Sequence, residues 1–172
     1  MRTLVREELL AALQHDPPLV EGLLDPEVQV QPHGIDLTVA RVYRFCSPGV
    51  VGFPSSSTRL PEVEELAFPQ EGWLHLAPGA YRIRLAEKVN LPVDVFAIAR
   101  PRSSLLRMGV HVGTALWDAG YSGQGEALLV VHNPHGMRLT RRARVVQLVF
   151  FRLDVPPREG YAGRYQGEGD RR

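Results

Sequence analysis

The sequence predicts an all-β domain, a sandwich or a barrel, with one short helix at its N-terminus. From Glu27 onward, runs rich in Val, Ile, Leu, Tyr and Phe are each closed by Pro, Gly or Asn. These closures come at intervals of about 8–12 residues, which is the pattern of such folds. Sustained helical periodicity is confined to the first part of the chain. At 172 residues, a second domain would leave neither half enough length to bury a good core, so one domain is expected.

The helix and the strands are assigned in chain order. Apolar residues recur at helical spacing within residues 2–14, and Asp16-Pro17-Pro18 ends the pattern. This segment is therefore predicted to form an amphipathic helix on the outside of the domain. Strands are predicted near residues 27–31, 35–45, 72–76, 79–87, 94–100, 110–117, 125–132, 136–140 and 144–153. Residues 47–70 are dense in Pro and Ser and should form a surface connection with at most a short strand.

The end of the chain differs from the rest in composition. Residues 155–172 are polar and Gly-rich and have no hydrophobic face, so they cannot fold by themselves. The β domain is therefore predicted to span residues 1–154, and residues 155–172 are predicted to form a flexible C-terminal arm.

Composition restricts the classes of partner. Apolar residues make up 44% of the chain, and 20 basic against 19 acidic residues give a formal charge of +1. This indicates a globular protein without a need for nucleic acid. No apolar run approaches the roughly 20 residues of a membrane helix, and the N-terminus lacks the cleavage site of a signal peptide. The single cysteine, Cys46, cannot form an internal disulfide, which favours a reducing, cytoplasmic setting.

Several common catalytic motifs are missing from the sequence. There is no GxxxxGK(S/T) loop, no GxGxxG after a strand and no GxSxG elbow, which argues against the usual nucleotide-binding loops and hydrolase elbows. One cysteine cannot supply the HxE…PCxxC arrangement of the zinc deaminases. His132 and His135 could chelate a metal, but a turn beginning at Asn133 and Pro134 explains them more simply.

The stretch PRSSLLR is a candidate phosphate site. Pro101 at the first position of a helix would leave the N-terminal N–H groups directed at a ligand. The hydroxyls of Ser103 and Ser104 and the guanidinium groups of Arg102 and Arg107 could complete the surroundings of a phosphate. A capped helical turn with solvated arginines is the simpler interpretation and is favoured on this stretch alone.

Two polar residues interrupt apolar strands. Gln147 lies inside RRARVVQLVFF, and a buried amide without partners costs about 1–3 kcal/mol, so it must be hydrogen-bonded or directed into a site. Asp36 lies among the apolar residues of PHGIDLTVARVY, where an aspartate either caps a turn or holds a ligand. A solvated edge is expected for Arg138, Arg141, Arg142 and Arg144, because no exposed aromatic residues lie between them to stack bases.

The heptapeptide WDAGYSG fits a β-turn. Asp118 would occupy the first position, Gly120 would supply a positive φ, and Tyr121 would resume the next strand. A functional interpretation fits as well. In it, Asp118 orients a water molecule or a sugar hydroxyl, and Tyr121 presents a flat face on which a sugar or base can rest.

In this order, the segments resemble the five motifs of the dUTPase and dCTP deaminase superfamily. PHGIDL is similar to the first motif, PRSSL to the second, WDAGYSG to the third and RVVQLVF to the fourth, and RYQGEG is a partial match to the Gly-rich fifth. The N-terminal helix followed by VQPHGIDL resembles the dCTP deaminase branch and the archaeal-type dUTPases. The resemblance implies a distorted β-barrel or jelly roll that assembles as a homotrimer, with each active site built from neighbouring subunits.

The resemblance also implies roles for individual residues. Asp118 would position the attacking water and contact the deoxyribose 3′-hydroxyl, and Tyr121 would stack under the sugar and exclude a 2′-hydroxyl. Asp36 would lie near a magnesium ion and its waters, and the hairpin of residues 110–130 would recognise the pyrimidine. The residues expected to bind the phosphates or to close over the substrate are Arg102, Ser103, Ser104, Arg107, Gln147, Tyr165 and Gln166.

One position separates the two chemistries of the superfamily. In the dCTP deaminases a glutamate five residues beyond the last glycine of the third motif shuttles protons, and here that position is Leu128, which cannot transfer protons. Glu126 precedes it by two residues on the same strand face and is the candidate replacement. We therefore expect Mg²⁺-dependent hydrolysis of dUTP to dUMP and pyrophosphate. The alternatives are dCTP deamination, with or without hydrolysis, and a non-catalytic nucleotide-binding trimer.

Overall fold

The computed structural model describes residues 1–169 and confirms the predicted all-β architecture. Its strands are β1 (Arg2–Thr3), β2 (Val20–Glu21), β3 (Val30–Gln31), β4 (Gly34–Phe45), β5 (Val63–Leu66), β6 (Leu74–Leu76), β7 (Gly79–Leu85), β8 (Lys88–Asn90), β9 (Val95–Pro101), β10 (Val110–Gly113), β11 (Ser122–Gly123), β12 (Glu126–Val131), β13 (Met137–Leu139) and β14 (Arg144–Arg152). The helices are α1 (Arg6–Ala12), α2 (Pro26–Gln29) and α3 (Ser103–Arg107), and a 3₁₀ helix covers Ser55–Ser57.

Within the described chain, no helix has the length and apolarity to cross a membrane. Residues 170–172 of the predicted arm lie outside the described residues.

The main sheet is antiparallel and curls into a half-barrel. Its strands follow the order β1-β14-β4-β7-β12-β10, with β3 and β5 added to β4 and with β9 added to β14. Register shifts occur between Val39 and Arg41 and between Arg144 and Val146. Such bulges bend a strand and increase its twist, so the long strand β4 can pair with β14 in one part and with β7 in another. Two smaller sheets, β11-β8-β2 and β13-β6, complete the fold.

The hydrophobic core is formed by alternate residues of the long strands. Burial alternates along β7, β9, β12 and β14, as expected for strands with one face directed at the core. Fully buried side chains include Leu37, Ile83, Leu85, Leu129, Leu148 and Phe150, and each contributes about 1.5–3 kcal/mol by burial. The same alternation places Glu126 and Leu128 together on the outward face of β12.

The N-terminal helix is shorter than predicted. Strand β1 pairs with the end of β14, so the first residues of the predicted helix 2–14 are extended and α1 begins at Arg6. The Glu8 carboxylate accepts a hydrogen bond from the backbone N–H of Val5 at 3.2 Å. This contact satisfies a backbone donor that a helix start leaves free, which fixes the start of α1 after the strand.

The predicted strand at residues 27–31 is mostly helical. The Asp25 side chain accepts hydrogen bonds from two backbone N–H groups of the first turn, at 3.0 and 3.3 Å. Pro26 occupies the first turn of the helix, where the fixed φ of proline is favourable. These two features start α2, and only Val30–Gln31 remains as strand β3.

Two other predicted strands have different bounds in the structure. The strand predicted at residues 79–87 ends at Leu85, because residues 86–87 form a bend, and a separate strand, β8, begins after this bend. The strand predicted at residues 110–117 ends at Gly113 as β10, and Trp117 forms only an isolated bridge with Ala97. The predicted surface connection at residues 47–70 contains the short strand β5.

Candidate active site

WDAGYSG forms the predicted turn. The N–H of Tyr121 donates to the carbonyl oxygen of Asp118 at 3.1 Å, and Gly120 has a φ of 86°, in the left-handed region that favours glycine. The chain then enters β11, and the turn prediction is confirmed. The Asp118 side chain is exposed, so a ligand can reach its carboxylate.

A cavity of about 440 Å³ lies beside this turn. Its volume is within the ~300–1,000 Å³ of small-molecule sites. Asp118, Tyr121 and Glu126, the three residues predicted to be catalytic, all line it. The C-terminal arm supplies further lining residues, which are Tyr161, Tyr165 and Glu168. Residues of the third predicted motif, WDAGYSG, and residues of the arm therefore line the same cavity.

The ring of Tyr121 is held by aromatic contacts and by its hydroxyl. It meets the ring of Trp117 edge-on, with centroids 5.4 Å apart at 89°, and that of Tyr161 at 5.8 Å and 66°, which is favourable packing for aromatic rings. Its hydroxyl donates to Oε1 of Glu168 at 2.8 Å. Burial, and then this hydrogen bond, raise the pKa of Tyr121. The phenol therefore stays neutral and serves as a fixed surface of the cavity.

Glu126 is held by two arginines of β7. Its Oε1 accepts hydrogen bonds from Nε and Nη2 of Arg84 at 3.2 and 2.9 Å, and its Oε2 lies 3.3 Å from Nε of Arg82. Both carboxylate oxygens therefore face guanidinium groups. Leu128, on the same strand face, is 43% exposed. The outward face of β12 thus carries an ion-paired glutamate and an apolar side chain.

The two arm residues predicted to contact the substrate have different surroundings. Tyr165 lines the cavity. The Gln166 side chain accepts a hydrogen bond from the N–H of Ser122 and donates one to the carbonyl oxygen of Gly120, both at 3.0 Å. Gln166 therefore binds the backbone of the turn, whereas Tyr165 remains available to a ligand.

The predicted phosphate-binding residues lie on and beside α3. Ser103, Ser104 and Arg107 are exposed on this helix, and Arg102 is its N-cap residue. Pro101 does not occupy the first helical position, as predicted, because it is still paired with β14 as the last residue of β9. Among the described residues no side chain caps this N-terminus. The interpretation of the stretch as a capped turn is therefore not supported.

Asp36 and Gln147 are register partners across β4 and β14. Asp36 is buried, and its Oδ2 lies 3.1 Å from Nε of Arg102 and 3.2 Å from Nη1 of Arg144. Burial raises the pKa of Asp36, and the two arginine charges act in the opposite direction. We call these four residues the Asp36 cluster. It joins the first, second and fourth predicted motifs.

The predicted site residues therefore form two groups in one chain. Asp118, Tyr121, Glu126 and Tyr165 line the cavity. Neither the Asp36 cluster nor the exposed residues of α3 take part in that lining. Within residues 1–169 of a single chain, the residue predicted to position the water and the residues predicted to bind the phosphates do not line the same cavity.

Glu87 is fully buried, at 0% exposure, although no motif singles it out. Its carboxylate accepts hydrogen bonds from the N–H and the hydroxyl of Thr38 at 2.8 and 2.7 Å and from Nε2 of Gln29 at 3.1 Å. Nη2 of Arg142 lies 3.5 Å away. Because Thr38 follows Asp36 on β4, Glu87 anchors the strand that carries the Asp36 cluster. The signal in the sequence was one glutamate inside the apolar run RIRLAEKVNLPV.

The described residues do not form a metal site from protein ligands alone. Over residues 1–169, no three His, Cys, Asp or Glu side chains are grouped to hold an ion. Two guanidinium groups face the same oxygen of Asp36, and their charges disfavour a divalent cation there. The HNPH stretch forms the predicted turn, in which Oδ1 of Asn133 accepts from the N–H of His135 at 3.0 Å. Direct coordination of Mg²⁺ by Asp36 does not fit this arrangement.

Comparisons with known proteins confirm the family that the motifs indicated. A family model described as dCTP deaminase-like matches residues 3–153. A probable deoxyuridine 5′-triphosphate nucleotidohydrolase of Archaeoglobus fulgidus is 46% identical over 168 residues, 98% of each chain. One of Methanococcoides burtonii is 45% identical over 98% of this chain and 99% of its own. The crystal structure of a dCTP deaminase from Agrobacterium tumefaciens superposes with a TM-score of 0.66 at 24% identity, over 86% of this chain and 47% of that one. The chain thus spans about half of that deaminase, and the likeness is one of fold.

Proposed function

The chain belongs to the dCTP deaminase-like family, and within it we propose a dUTP diphosphatase, which hydrolyses dUTP to dUMP and pyrophosphate. Relatives that are 45–46% identical carry the name of such an enzyme. The observation that carries the proposal is the outward face of β12. There the deaminase position holds Leu128, and Glu126 is bound to Arg82 and Arg84. Within the described chain, this face offers no unpaired carboxylate for the proton transfers of deamination.

Asp118 orients the attacking water in the proposed reaction. The water oxygen forms a bond to the α-phosphorus while the bond from that phosphorus to the oxygen bridging to the β-phosphate breaks, and pyrophosphate leaves with this oxygen. The proton of the water passes to Asp118, whose exposed carboxylate can reach it. Tyr121, beside it in the cavity, lies under the deoxyribose.

The Asp36 cluster and α3 bind the phosphates. Nε of Arg102 is held by Asp36, which leaves the other N–H groups of the planar guanidinium for a phosphate. These groups offset the negative charge that develops as pyrophosphate leaves. The remaining donors to the phosphates are Ser103, Ser104, Arg107 and Gln147.

Magnesium is proposed to enter with the triphosphate. Mg²⁺ keeps several of its waters and commonly binds through substrate phosphates. Asp36, with its two arginine partners, would then contact only the waters of such an ion. When bound, Mg²⁺ would neutralise phosphate charge. EDTA is expected to stop pyrophosphate release, and added MgCl₂ to restore it.

A homotrimer with shared active sites is proposed because of the two separate groups of site residues. Arg102 of one subunit would complete the cavity that contains Asp118 of a neighbour. Chains carrying Arg102→Gln and chains carrying Asp118→Asn should each be inactive alone. When the two are co-expressed, some sites regain both native residues, and dUTP hydrolysis should reappear. Absence of recovery in co-purified mixed oligomers would place each site within one subunit.

Product analysis tests the proposed function. Purified protein with Mg²⁺ is incubated with dUTP, dCTP, dTTP or UTP, and pyrophosphate and ammonia are measured separately. Pyrophosphate from dUTP alone is the expected result. Ammonia from dCTP would establish a deaminase, and binding of dUTP without either product would establish a non-catalytic nucleotide-binding protein.

The second candidate, dCTP deamination, is favoured by one observation, which is that Glu126 lines the cavity with Asp118 and Tyr121. Glu126→Gln tests it. The variant keeps one oxygen for Arg84 and should change kcat for dUTP less than about threefold, since an ion pair at a partly exposed strand face contributes about 1 kcal/mol or less. A loss of 100-fold or more would show that Glu126 transfers a proton. The matched control is Glu65→Gln on β5, which also removes a glutamate paired with an arginine.

The proposed setting is the cytoplasm, with free nucleotide as the partner and no nucleic acid. A formal charge of +1 and one free cysteine, Cys46, support this proposal. Cell fractionation and a gel-shift assay with DNA are the direct checks.

A further inference from the structure

The C-terminal arm is joined to the turn by backbone hydrogen bonds near both of its ends. The N–H of Tyr161 donates to the carbonyl oxygen of Ala119 at 2.8 Å, and the N–H of Gly167 donates to that of Ser122 at 2.8 Å. The carbonyl oxygen of Glu168 accepts from the N–H of Gln124 at 2.8 Å. The arm thus follows both sides of the turn that carries Asp118 and Tyr121.

The close approach of two glycines fixes the position of the arm. A Cβ placed on Gly120 would lie 2.7 Å from Cα of Gly160 and 2.9 Å from N of Tyr161, closer than side-chain atoms normally approach a backbone. The arm and the turn therefore touch backbone to backbone. The hydrogen bonds on either side of this contact would break if the arm moved far from the turn.

Glu168 links the docked arm to the cavity, which its side chain lines. It is half-buried, and its Oε1 accepts the hydroxyl hydrogen of Tyr121 at 2.8 Å. Burial raises the pKa of Glu168, and the hydrogen bond from Tyr121 acts in the opposite direction. The rings of Trp117 and Tyr161 make T-shaped contacts with the Tyr121 ring, and the bond to Glu168 restrains the end of the Tyr121 side chain that carries the hydroxyl.

We propose that Glu168 is a positioning residue through which the docked arm holds Tyr121 against the sugar and so sets the preference for a deoxyribonucleotide over a ribonucleotide. This inference rests on the proposed function, because it assigns the sugar subsite to the Tyr121 face of the cavity. With the bond in place, the ring stays where a 2′-hydroxyl would have to lie. Without it, the ring can yield and make room for a ribose.

The test compares kcat/KM for dUTP and for UTP in a set of variants. Glu168→Ala removes the acceptor, and the ratio of the two values should fall about tenfold, the equivalent of ~1.4 kcal/mol. Tyr121→Phe removes the donor and should give a similar fall. The double variant should fall no further than either single variant, because both changes remove the same bond. Glu168→Gln keeps a carbonyl acceptor and should keep most of the preference.

Two controls separate this role from a general loosening of the arm. Glu159→Ala removes an exposed glutamate of the same arm and should leave the dUTP to UTP ratio unchanged. Hydrogen exchange of the Gly167 amide reports whether the arm is docked. In Glu168→Ala this amide should remain protected, since its bond to Ser122 is retained.

The outcomes distinguish the inference from the proposed function. A wild-type protein without dUTP turnover overturns both. A wild-type protein that hydrolyses dUTP, with an unchanged ratio in Glu168→Ala, overturns the inference alone. Equal losses with dUTP and UTP likewise overturn it, because they show that the arm contributes to binding without selecting the sugar.

Discussion

The Asp118→Asn variant is expected to lose about 10²–10⁴-fold in kcat for dUTP, the usual contribution of general acid–base catalysis. The amide has the size of the carboxylate and can still hydrogen-bond to a 3′-hydroxyl, but it cannot take a proton from the attacking water. The turn is held by the backbone bond from Tyr121 to Asp118, which the substitution leaves in place. The variant should therefore fold normally and still bind nucleotide.

Two measurements check this expectation. Pyrophosphate release gives kcat, and calorimetric titration with a non-hydrolysable dUTP analogue gives a Kd that should change by less than about tenfold, or ~1.4 kcal/mol. The control is Asp154→Asn, which removes an exposed aspartate that pairs with the N-terminal ammonium group and should keep the wild-type kcat. Undiminished turnover by Asp118→Asn would mean that a different residue positions the water.

The Glu87→Ala variant is expected to lose about 3–5 kcal/mol of unfolding free energy, the cost of removing one partner of a buried ionic network. It removes the acceptor of the Thr38 N–H and hydroxyl and one of the two acceptors of the Gln29 amide, and it leaves Arg142 without this partner. Because ~1 kcal/mol shifts the Tm of a protein of this size by about 2–4 °C, a fall in Tm of roughly 10 °C should follow.

Urea titration followed by circular dichroism measures this loss, with all proteins at the same concentration. Glu87→Gln keeps one oxygen as an acceptor and should lose less than the alanine variant. Glu71→Ala removes an exposed glutamate and should leave the midpoint unchanged. Equal midpoints for Glu87→Ala and wild type would contradict the anchoring role of Glu87.

The turn and the faces of the strands could be predicted from the sequence because their requirements are local. A positive φ at Gly120 depends on the absence of a Cβ at that residue. The shared face of Glu126 and Leu128 follows from the two-residue repeat of a strand. The order of the short motifs then indicated the family, although it did not show how the motifs meet in space.

Contacts between distant residues determined the parts that the sequence did not predict. Residues 2–3 are extended because β14 offers them backbone partners at the other end of the chain. Glu87 accepts a hydrogen bond from the N–H of Thr38, and Glu168 accepts one from the hydroxyl of Tyr121. Pairs so far apart in sequence leave no periodic pattern, so the buried network and the docking of the arm appear only in the structure.

The contact between Gly120 and Gly160 limits how this protein can be altered or recombined. A Cβ on Gly120 would lie 2.7 Å from Cα of Gly160, closer than Cβ atoms approach a backbone, and a Cβ on Gly160 would lie 3.1 Å from Cα of Gly120, which is a tight contact. An arm exchanged for that of a relative, with a side chain at the position of Gly160, would therefore have to move away from the turn by a few tenths of an ångström. A substitution at Gly120 would displace the backbone of the arm, so a library that varies this position of the turn has to vary the arm with it.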